Sequence, residues 1–146
     1  MGSVSLQPGD PFPRLELRLG GQPFRPEPGP AGQLYYFMRT ADCPVCRAHV
    51  KRLITLAPRL TDKGLSVVVV VPEGEAERQV AQSLHTPFPV VQGVTAHASI
   101  GLQRRLFLVQ QSGTVIHDAA RLVTHVRAAT LPGGSFDEDA VLELLK

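Results

Sequence analysis

Residues 33–49, QLYYFMRTADCPVCRAH, decide the fold and contain both cysteines of the chain. The first part of this stretch is aromatic and apolar, which is typical of a buried β-strand. Pro44 follows and suits the first turn of an α-helix, where its missing N–H needs no partner. The pattern predicts a strand that passes directly into a helix, with Cys43 and Cys46 at the start of that helix.

The residues that follow predict the body of this helix and then a fully buried strand. Pro58 is expected to kink or end the helix. Residues 65–71, LSVVVVV, are mostly β-branched and bounded by Gly64 and Pro72, as in a strand buried on both faces. Apolar residues at helical spacing form one predicted stripe: Cys46, Val50, Leu53, Ile54 and Ala57.

Two further elements are predicted on either side of these. Leucines alternate with charged residues over residues 15–19, which indicates a half-buried strand. Residues 73–84 have helical periodicity, with one apolar side formed by Ala76, Val80 and Leu84.

The C-terminal part of the chain is predicted to contain a hairpin and a last helix. Residues 105–110 and 114–117 have the character of two strands, with Gly113 in the turn between them. Ser135 and Glu138 have the spacing of a capping box that opens a helix. The inward side of that helix is expected to consist of Ala140, Val141 and Leu144.

Strands and helices in this order predict an α/β domain whose mixed central β-sheet is flanked by helices on both faces. The length of 146 residues suits one domain, which is expected to span residues 1–146. Open α/β folds place their chemistry at the carboxyl ends of the central strands. Because the cysteines follow such a strand, the active site is predicted there.

Composition and charge argue against several classes of partner. The 15 basic and 13 acidic residues are scattered without a Lys/Arg-rich run, so neither nucleic acid nor an anionic membrane is expected. The longest apolar runs are too short to cross a bilayer, and no export signal is visible at residues 1–15. A cytoplasmic location is therefore expected, where two close cysteines are more often reactive or metal-binding than structural.

The position of the cysteines at a helix start predicts reactive thiols. Unpaired backbone N–H groups there carry partial positive charge and favour the thiolate, the reactive form of cysteine. Arg39 and Arg47 supply further positive charge, whereas Asp42 beside Cys43 opposes a second negative charge. Cys46 lies nearer the apolar stripe and is expected to be less exposed.

Two other roles for the cysteines are less well supported. A disulfide between cysteines so close in sequence removes little entropy from the unfolded chain, so it would stabilise the fold only weakly. A zinc site needs four ligands, and Cys43, Cys46 and His49 supply at most three. The other histidines are isolated in the sequence, so no metal or other cofactor is expected.

Three blocks of the sequence resemble a known superfamily. LQPGDPFPRLEL at residues 6–17, YYFMR at residues 35–39 with the cysteine helix, and RRLFLVQQSGTVI at residues 104–116 have the order typical of thioredoxin-like proteins. More narrowly, the chain resembles the branch that contains peroxiredoxins of the AhpC/TSA type and TlpA-like reductases. The resemblance extends from about Leu6 to Leu145 and implies a thioredoxin-like fold.

The peroxiredoxin resemblance allows two alignments. In the gap-free alignment, Cys46 takes the place of the peroxidatic cysteine and Cys43 that of the family threonine. Arg39 then replaces the family proline, and His49 replaces an acidic residue. The other alignment places Thr40 at the family threonine and Cys43 at the peroxidatic cysteine, and it ranks second because it loses the Pro-Val-Cys match.

The TlpA-like resemblance implies a different order of attack. CPVCRAH is close to the Cys-Pro-Pro-Cys-Arg-x-Glu pattern, in which Cys43 would be the exposed nucleophile and Cys46 the resolving cysteine. Arg104 stands where thioredoxins and TlpA-like proteins have a cis-proline, and the peroxiredoxins resemble this chain in having an arginine there. A guanidinium favours thiolate and can bond both reacting oxygens. Arg105 takes this role if the strand register is shifted by one.

The resemblance implies a peroxiredoxin-like thiol peroxidase that reduces hydrogen peroxide or organic hydroperoxides. The implied catalytic residues are Cys46, Cys43, Arg104 and Thr40, with a cysteine sulfenic acid and a Cys43–Cys46 disulfide as intermediates. A thioredoxin- or glutaredoxin-type protein would be the reductant, and a homodimer is also expected. The alternatives are a thioredoxin/TlpA-like protein disulfide oxidoreductase and a non-catalytic redox-sensing domain.

Overall fold

The computed structural model describes residues 6–102, 104–105, 109–129 and 134–146. These residues form nine strands and four helices. The strands are β1 (Glu16–Leu19), β2 (Gln22–Pro23), β3 (Gly32–Phe37), β4 (Leu65–Val71), β5 (Val90–Val94), β6 (Arg104–Arg105), β7 (Val109–Gln110), β8 (Ser112–His117) and β9 (Val123–Ala129). The helices are α1 (Pro44–Asp62), α2 (Glu77–Leu84), α3 (Ala96–Ser99) and α4 (Glu138–Leu144).

Seven of the strands form one mixed sheet in the order β2-β1-β5-β4-β3-β8-β9. At its centre, β4 is parallel to both β3 and β5. β1 joins β5 antiparallel on one side, and β8 joins β3 antiparallel on the other. The predicted mixed α/β sheet is therefore confirmed, and the cysteine segment begins at the carboxyl end of the central strand β3.

Alternation along β3 divides the interior into two hydrophobic cores. Leu34, Tyr36 and Met38 belong to a core that also contains the buried sides of α1, α2 and α4. Tyr35 and Phe37 belong to the other core, which α3 and the N-terminal segment cover. Because β3 and β4 are buried on both faces, helices lie on both sides of the sheet, as predicted.

Helix α1 continues past Pro58, which was expected to kink or end it. Pro58 lies within the helix on its exposed side, where the ring removes one backbone hydrogen bond without displacing a core side chain. Of the predicted stripe, Ile54 and Ala57 are only partly buried. The buried stripe consists of Cys46, Val50, Leu53, Leu56 and Leu60.

The predicted hairpin over residues 105–110 and 114–117 is wrong, and residues 106–108 lie outside the described part of the chain. β8 pairs with β3 and β9, whereas β6 and β7 pair with each other in a separate two-stranded sheet. Gly113 lies inside β8, where an added Cβ would come within 2.5 Å of the Arg127 carbonyl oxygen. Its missing side chain therefore permits close approach of two strands and does not serve a turn.

The predicted capping box at Ser135 and Glu138 is also wrong. Asp137 caps α4, because its carboxylate accepts a hydrogen bond from Ala140 N–H at 3.2 Å. Ser135 is buried, and its hydroxyl bonds within the core instead. Leu144, which was expected to face inward, is 42% exposed.

The sequence patterns also miss several elements, among them the strands β5 and β9 and the start of α2. β5 is a short strand between β4 and β1, and β9 is an edge strand with only partial burial along VTHVRAA. Helix α2 begins at Glu77 and not at residue 73, and the preceding Ala76 is exposed. Within the described ranges, no helix combines the length and the apolar character needed to span a bilayer.

Candidate active site at the start of the cysteine helix

The segment between β3 and α1 is held by hydrogen bonds from three elements. Met38 N–H donates to the Val70 carbonyl of β4 at 2.9 Å. Ala41 N–H donates to the Glu75 carboxylate at 2.9 Å, and the Arg47 guanidinium of α1 donates to the Ala41 carbonyl at 3.1 Å. These bonds fix the loop from which the cysteine helix starts.

Cys43 is the N-cap residue of α1, and only 2% of its surface is exposed. Its sulfur accepts a hydrogen bond at 3.4 Å from Cys46 N–H, one of the otherwise unpaired donors of the first helical turn. Burial acts to raise the pKa of the Cys43 thiol, but hydrogen bonds from Cys46 and Arg39, with the Arg39 charge, outweigh it. The pKa of Cys43 is therefore lowered, and its thiolate is favoured.

Cys46 lies on the inner side of α1 and is fully buried, and both cysteines are free. Burial is the main reason that its pKa is raised to about 11. Charge on Cys43 also raises this pKa, while hydrogen bonds from Arg39 N–H, at 3.3 Å, and from Tyr36 lower it. Of the two thiols, Cys43 therefore ionises first, and Cys46 stays protonated at neutral pH.

Arg39 is the cation of the site. Its guanidinium lies close enough to Cys43 for its charge to lower the pKa of that thiol, and the residue is half-buried. Its Nε is buried and has no hydrogen-bond partner among the described residues. A buried N–H without an acceptor is energetically costly. The Arg39 Nε–H can therefore donate a hydrogen bond to a ligand oxygen that binds beside Cys43.

Three other polar residues near the cysteines make local contacts. The Thr40 hydroxyl donates to the carboxylate of Asp42 at 2.9 Å, and Asp42 is exposed. Arg47 donates to the Ser83 hydroxyl of α2, so it ties the loop to α2. Of the two arginines that the sequence singles out, Arg39 is the one that lowers the pKa of Cys43. The catalytic role expected for Thr40 stays a prediction.

Arg104 lies in β6, whose backbone pairs with β7 outside the central sheet. Its side chain, like that of Arg105, lies outside the described part of the structure. The role of Arg104 in orienting the thiolate therefore stays a prediction.

A buried polar cluster lies directly behind Cys46. The Tyr36 hydroxyl is 2.9 Å from His49 Nδ1 and 2.9 Å from Ser135 Oγ, and it lies close enough to Cys46 for charge on that sulfur to raise the pKa of the phenol. Burial and the neighbouring Cys46 charge raise the pKa of Tyr36, so this side chain stays a phenol. Burial lowers the pKa of His49, which favours the neutral imidazole near neutral pH. His49 is thus half-buried in the site and not the exposed helix residue that its position suggests.

Sequence reasoning misses Tyr36 and Ser135 as site residues. The period-two alternation of β3 does put Tyr36 on the same face as Leu34 and Met38, toward α1, but that pattern alone indicates only a core residue. No local signal connects Ser135 with Tyr36, because 99 residues separate them in the chain.

Comparison with known proteins identifies relatives in fold. The Redoxin family model matches residues 7–125, whereas no curated protein matches the sequence. Among solved structures, the chain is similar to peroxidoxin BcpB from Mycobacterium tuberculosis, with 20% identity, 96% of each chain covered and a TM-score of 0.76. A peroxiredoxin-like protein from Aquifex aeolicus is 16% identical, with 97% of this chain and 88% of that chain covered and a TM-score of 0.79.

A third similar structure is a secreted Mycobacterium tuberculosis disulfide oxidoreductase homologous to E. coli DsbE. It is 16% identical, with 90% of this chain and 93% of that chain covered and a TM-score of 0.62. These likenesses confirm the thioredoxin-like fold that the three sequence blocks imply. Across the described residues, no group of three or more His, Cys, Asp or Glu side chains is arranged to hold a metal ion.

Proposed function

Because this chain belongs to the Redoxin family, we propose that it is a thiol-dependent oxidoreductase that reduces peroxides through Cys43 and Cys46. Hydrogen peroxide or an organic hydroperoxide is the proposed substrate. The observation that carries the proposal is the position of Cys43 at the N-cap of α1, where its sulfur accepts the Cys46 N–H and its pKa is lowered by that bond and by Arg39.

The burial of both sulfurs supports a small oxidant. Cys43 is 2% exposed and Cys46 is fully buried. A peroxide needs to bring only its O–O group to the sulfur, whereas a protein disulfide would need the surrounding loop to open. Arg39 supports the same conclusion, because its free Nε–H can stabilise the charge that develops on the leaving oxygen.

In the proposed reaction, the Cys43 thiolate attacks one peroxide oxygen and the O–O bond breaks. The leaving oxygen takes up a proton and departs as water or an alcohol, and Cys43 becomes a sulfenic acid. The Cys46 sulfur then attacks the Cys43 sulfur, the S–O bond breaks, and water leaves as the disulfide forms. A dithiol reductant of the thioredoxin or glutaredoxin type would restore both thiols by disulfide exchange.

The choice of Cys43 as the attacking sulfur follows from its surroundings. The gap-free alignment assigns the attack to Cys46, but the raised pKa of Cys46 keeps it protonated at neutral pH. The lowered pKa of Cys43 supports the second alignment, in which Thr40 takes the place of the family threonine. Cys43 is therefore the proposed peroxidatic residue and Cys46 the resolving one, with Arg104 kept as a proposed helper.

Thiol–disulfide exchange is the second candidate function. Exposed Pro44 and Val45 lie next to Cys43, and Val45 is 42% exposed, which offers apolar surface to a protein partner. Cys43 would then attack a protein disulfide after the loop opens, and Cys46 would release the mixed disulfide. The cytoplasmic location and the homodimer stay predictions under either function.

Stopped-flow measurement of thiol loss to hydrogen peroxide near neutral pH tests the main proposal. We expect the reduced protein to react orders of magnitude faster than free cysteine. Cys43→Ser should abolish this fast phase, whereas Cys46→Ser should keep it and accumulate a sulfenic acid that dimedone traps. Loss of the fast phase in Cys46→Ser alone would reverse the assignment of the two sulfurs.

Reduction of a protein disulfide such as insulin by the same proteins tests the second candidate. Wild-type protein that reacts with peroxide no faster than free cysteine, yet reduces insulin, would show the peroxidase proposal to be wrong. Disulfide exchange would then be the function of the dithiol.

A further inference from the structure

Tyr36, at the centre of the polar cluster behind Cys46, lies where an apolar side chain of similar size would also fit. Tyr36 is fully buried in β3, within a hydrophobic core. A phenylalanine would fill nearly the same volume without bringing a hydroxyl into that core, and a buried hydroxyl is costly unless it is bonded. Tyr36 uses its hydroxyl to connect Cys46, His49 and Ser135, which come from α1 and from the segment before α4.

His49 is positioned by packing as well as by its hydrogen bond. Its ring meets the Tyr36 ring edge-on with centroids 5.7 Å apart, and it lies against the Phe136 ring at 5.3 Å. Nδ1 is held 2.9 Å from the Tyr36 hydroxyl, while the imidazole as a whole is only half-buried. The cluster therefore connects a fully buried sulfur to a basic group that reaches the protein surface.

The charged side chains on the elements around His49 form pairs. Arg52, one turn further along α1, is paired with Glu138 of α4. Arg127 of β9 is paired with Asp137, the cap of α4, at 3.7 Å. Each ion pair has a net charge close to zero. Neither pair therefore exerts a strong electrostatic effect on His49.

Cys46 needs a base if it is to attack. Burial, the largest cause of its raised pKa, is still present when Cys43 is a sulfenic acid, so the Cys46 thiol is protonated at neutral pH. The other sulfur of the site cannot accept its proton during this step, because Cys43 is then the sulfenic acid under attack.

We propose that Tyr36 and His49 form a proton relay that deprotonates Cys46 as it attacks Cys43. The inference rests on the proposed function, in which Cys46 is the resolving thiol. The Cys46 thiol gives its proton to the Tyr36 oxygen while the Tyr36 hydroxyl gives its own proton to His49 Nδ1. Tyr36 is the group of the cluster that lies beside the reacting sulfur and is the proposed catalytic residue, whereas His49 and Ser135 are positioning residues that act through it.

Atoms and charges balance across this step. The S–S bond forms as the bond between the Cys43 sulfur and the sulfenic oxygen breaks. The oxygen leaves as hydroxide, and the His49 imidazolium releases its proton to solvent, so one water forms for each disulfide. Neither Tyr36 nor His49 is changed at the end of the cycle.

Two-phase kinetics separate the attack of Cys43 from the attack of Cys46. Dithiodipyridine is a small uncharged disulfide that releases one chromophore when Cys43 attacks it and a second when Cys46 closes the disulfide. The test variants are Tyr36→Phe and His49→Gln. The matched control is Tyr35→Phe, which removes a hydroxyl from the other face of the same strand.

We expect both test variants to slow the second phase at least about tenfold while the first phase and the control stay at wild-type rates. The wild-type second phase should rise with pH only until His49 is neutral, whereas in the variants it should keep rising into the alkaline range. The double variant should be no slower than Tyr36→Phe alone. Second phases at the wild-type rate, or equal slowing of both phases, would overturn the relay.

Hydrogen peroxide in place of dithiodipyridine distinguishes failure of the relay from failure of the proposed function. If wild-type protein does not react rapidly with peroxide, but both variants slow the second phase with dithiodipyridine, the peroxidase proposal is wrong and the relay is supported. If wild-type protein reacts rapidly with peroxide, but neither variant changes the rate of the second phase, the peroxidase proposal is supported and the relay is wrong. His49→Gln is at a half-buried position, so it carries the test if Tyr36→Phe fails to fold.

Discussion

At the scale of single residues, Arg39 is the cation that lowers the pKa of Cys43, after the larger effect of the hydrogen bonds from Cys46. The sulfur is buried, and burial by itself would keep it protonated. Arg39 opposes this effect with both a hydrogen bond and a charge. Because the guanidinium is itself half-buried, water and salt screen that charge less than they would at the surface.

Replacing this guanidinium should therefore move the reactivity of Cys43 to higher pH. Arg39→Gln removes the positive charge, so we expect the pKa of Cys43 to rise and thiolate reactivity below that pKa to fall about tenfold for each unit. The measurement is the rate of alkylation by iodoacetamide as a function of pH, in a Cys46→Ser background. Arg39→Lys keeps the charge, so its pH profile of alkylation should lie between those of the Arg39 protein and Arg39→Gln. An unmoved pH profile in Arg39→Gln would mean that the helix start alone sustains the thiolate.

At the scale of elements, the start of α4 supports the site from behind. Ser135 and Phe136 precede the helix and contact Tyr36 and His49. The cap at Asp137 is what ends this segment and begins the helix, so it holds both contacts in place.

Removing that cap should destabilise the protein measurably. Asp137→Ala loses the acceptor for Ala140 N–H, and we expect the free energy of unfolding to fall by about 1 kcal/mol. Asp137→Asn keeps a capping oxygen and loses only the pairing with Arg127, so a change below about 0.5 kcal/mol is expected. Urea unfolding measures both variants. Equal losses in the two would mean that the ion pair, and not the cap, stabilises α4.

At the scale of the whole molecule, buried histidines make folding sensitive to acid. Burial is the main cause of the lowered pKa values of His49, His117 and His125. His117 is fully buried between the sheet and the N-terminal segment, where its ring lies 5.0 Å from that of Phe12. Charging this residue would therefore disturb the contact between two parts of the fold.

Stability should fall as the pH drops through the ordinary histidine value of 6.5. Below that value the unfolded chain binds protons that the folded chain takes up only at lower pH, so the free energy of unfolding decreases. Above it, both states are neutral at these residues and the effect disappears. Urea unfolding at mildly alkaline and mildly acidic pH measures this difference.

His117→Gln should make the free energy of unfolding less dependent on pH, because it removes the most buried imidazole. The glutamine amide can still donate a hydrogen bond to the Asp118 carbonyl. His125→Gln, at a half-buried position, serves if the first variant does not fold. A free energy of unfolding that does not change between the two pH values in wild-type protein would contradict the prediction.

Much of the fold is determined locally and is therefore predictable from the sequence. The β-branched run at Leu65–Val71 forms a strand with those bounds, and Pro44 begins the cysteine helix as expected. Both outcomes depend on residue type and spacing within a few positions. The position of Cys43 at the helix start is predictable for the same reason, while its reactivity stays a prediction.

What the sequence by itself determined is thus the strand, the helix and the dithiol at their junction. Only the tertiary structure decided that Arg39 and not Arg47 lowers the pKa of Cys43, and that Ser135 bonds to Tyr36. Strand pairing and side-chain contacts join residues far apart in the chain, as with the 99 positions between Tyr36 and Ser135. Local propensity carries no information about such contacts, because their free energy arises only once the sheet has brought the two segments together.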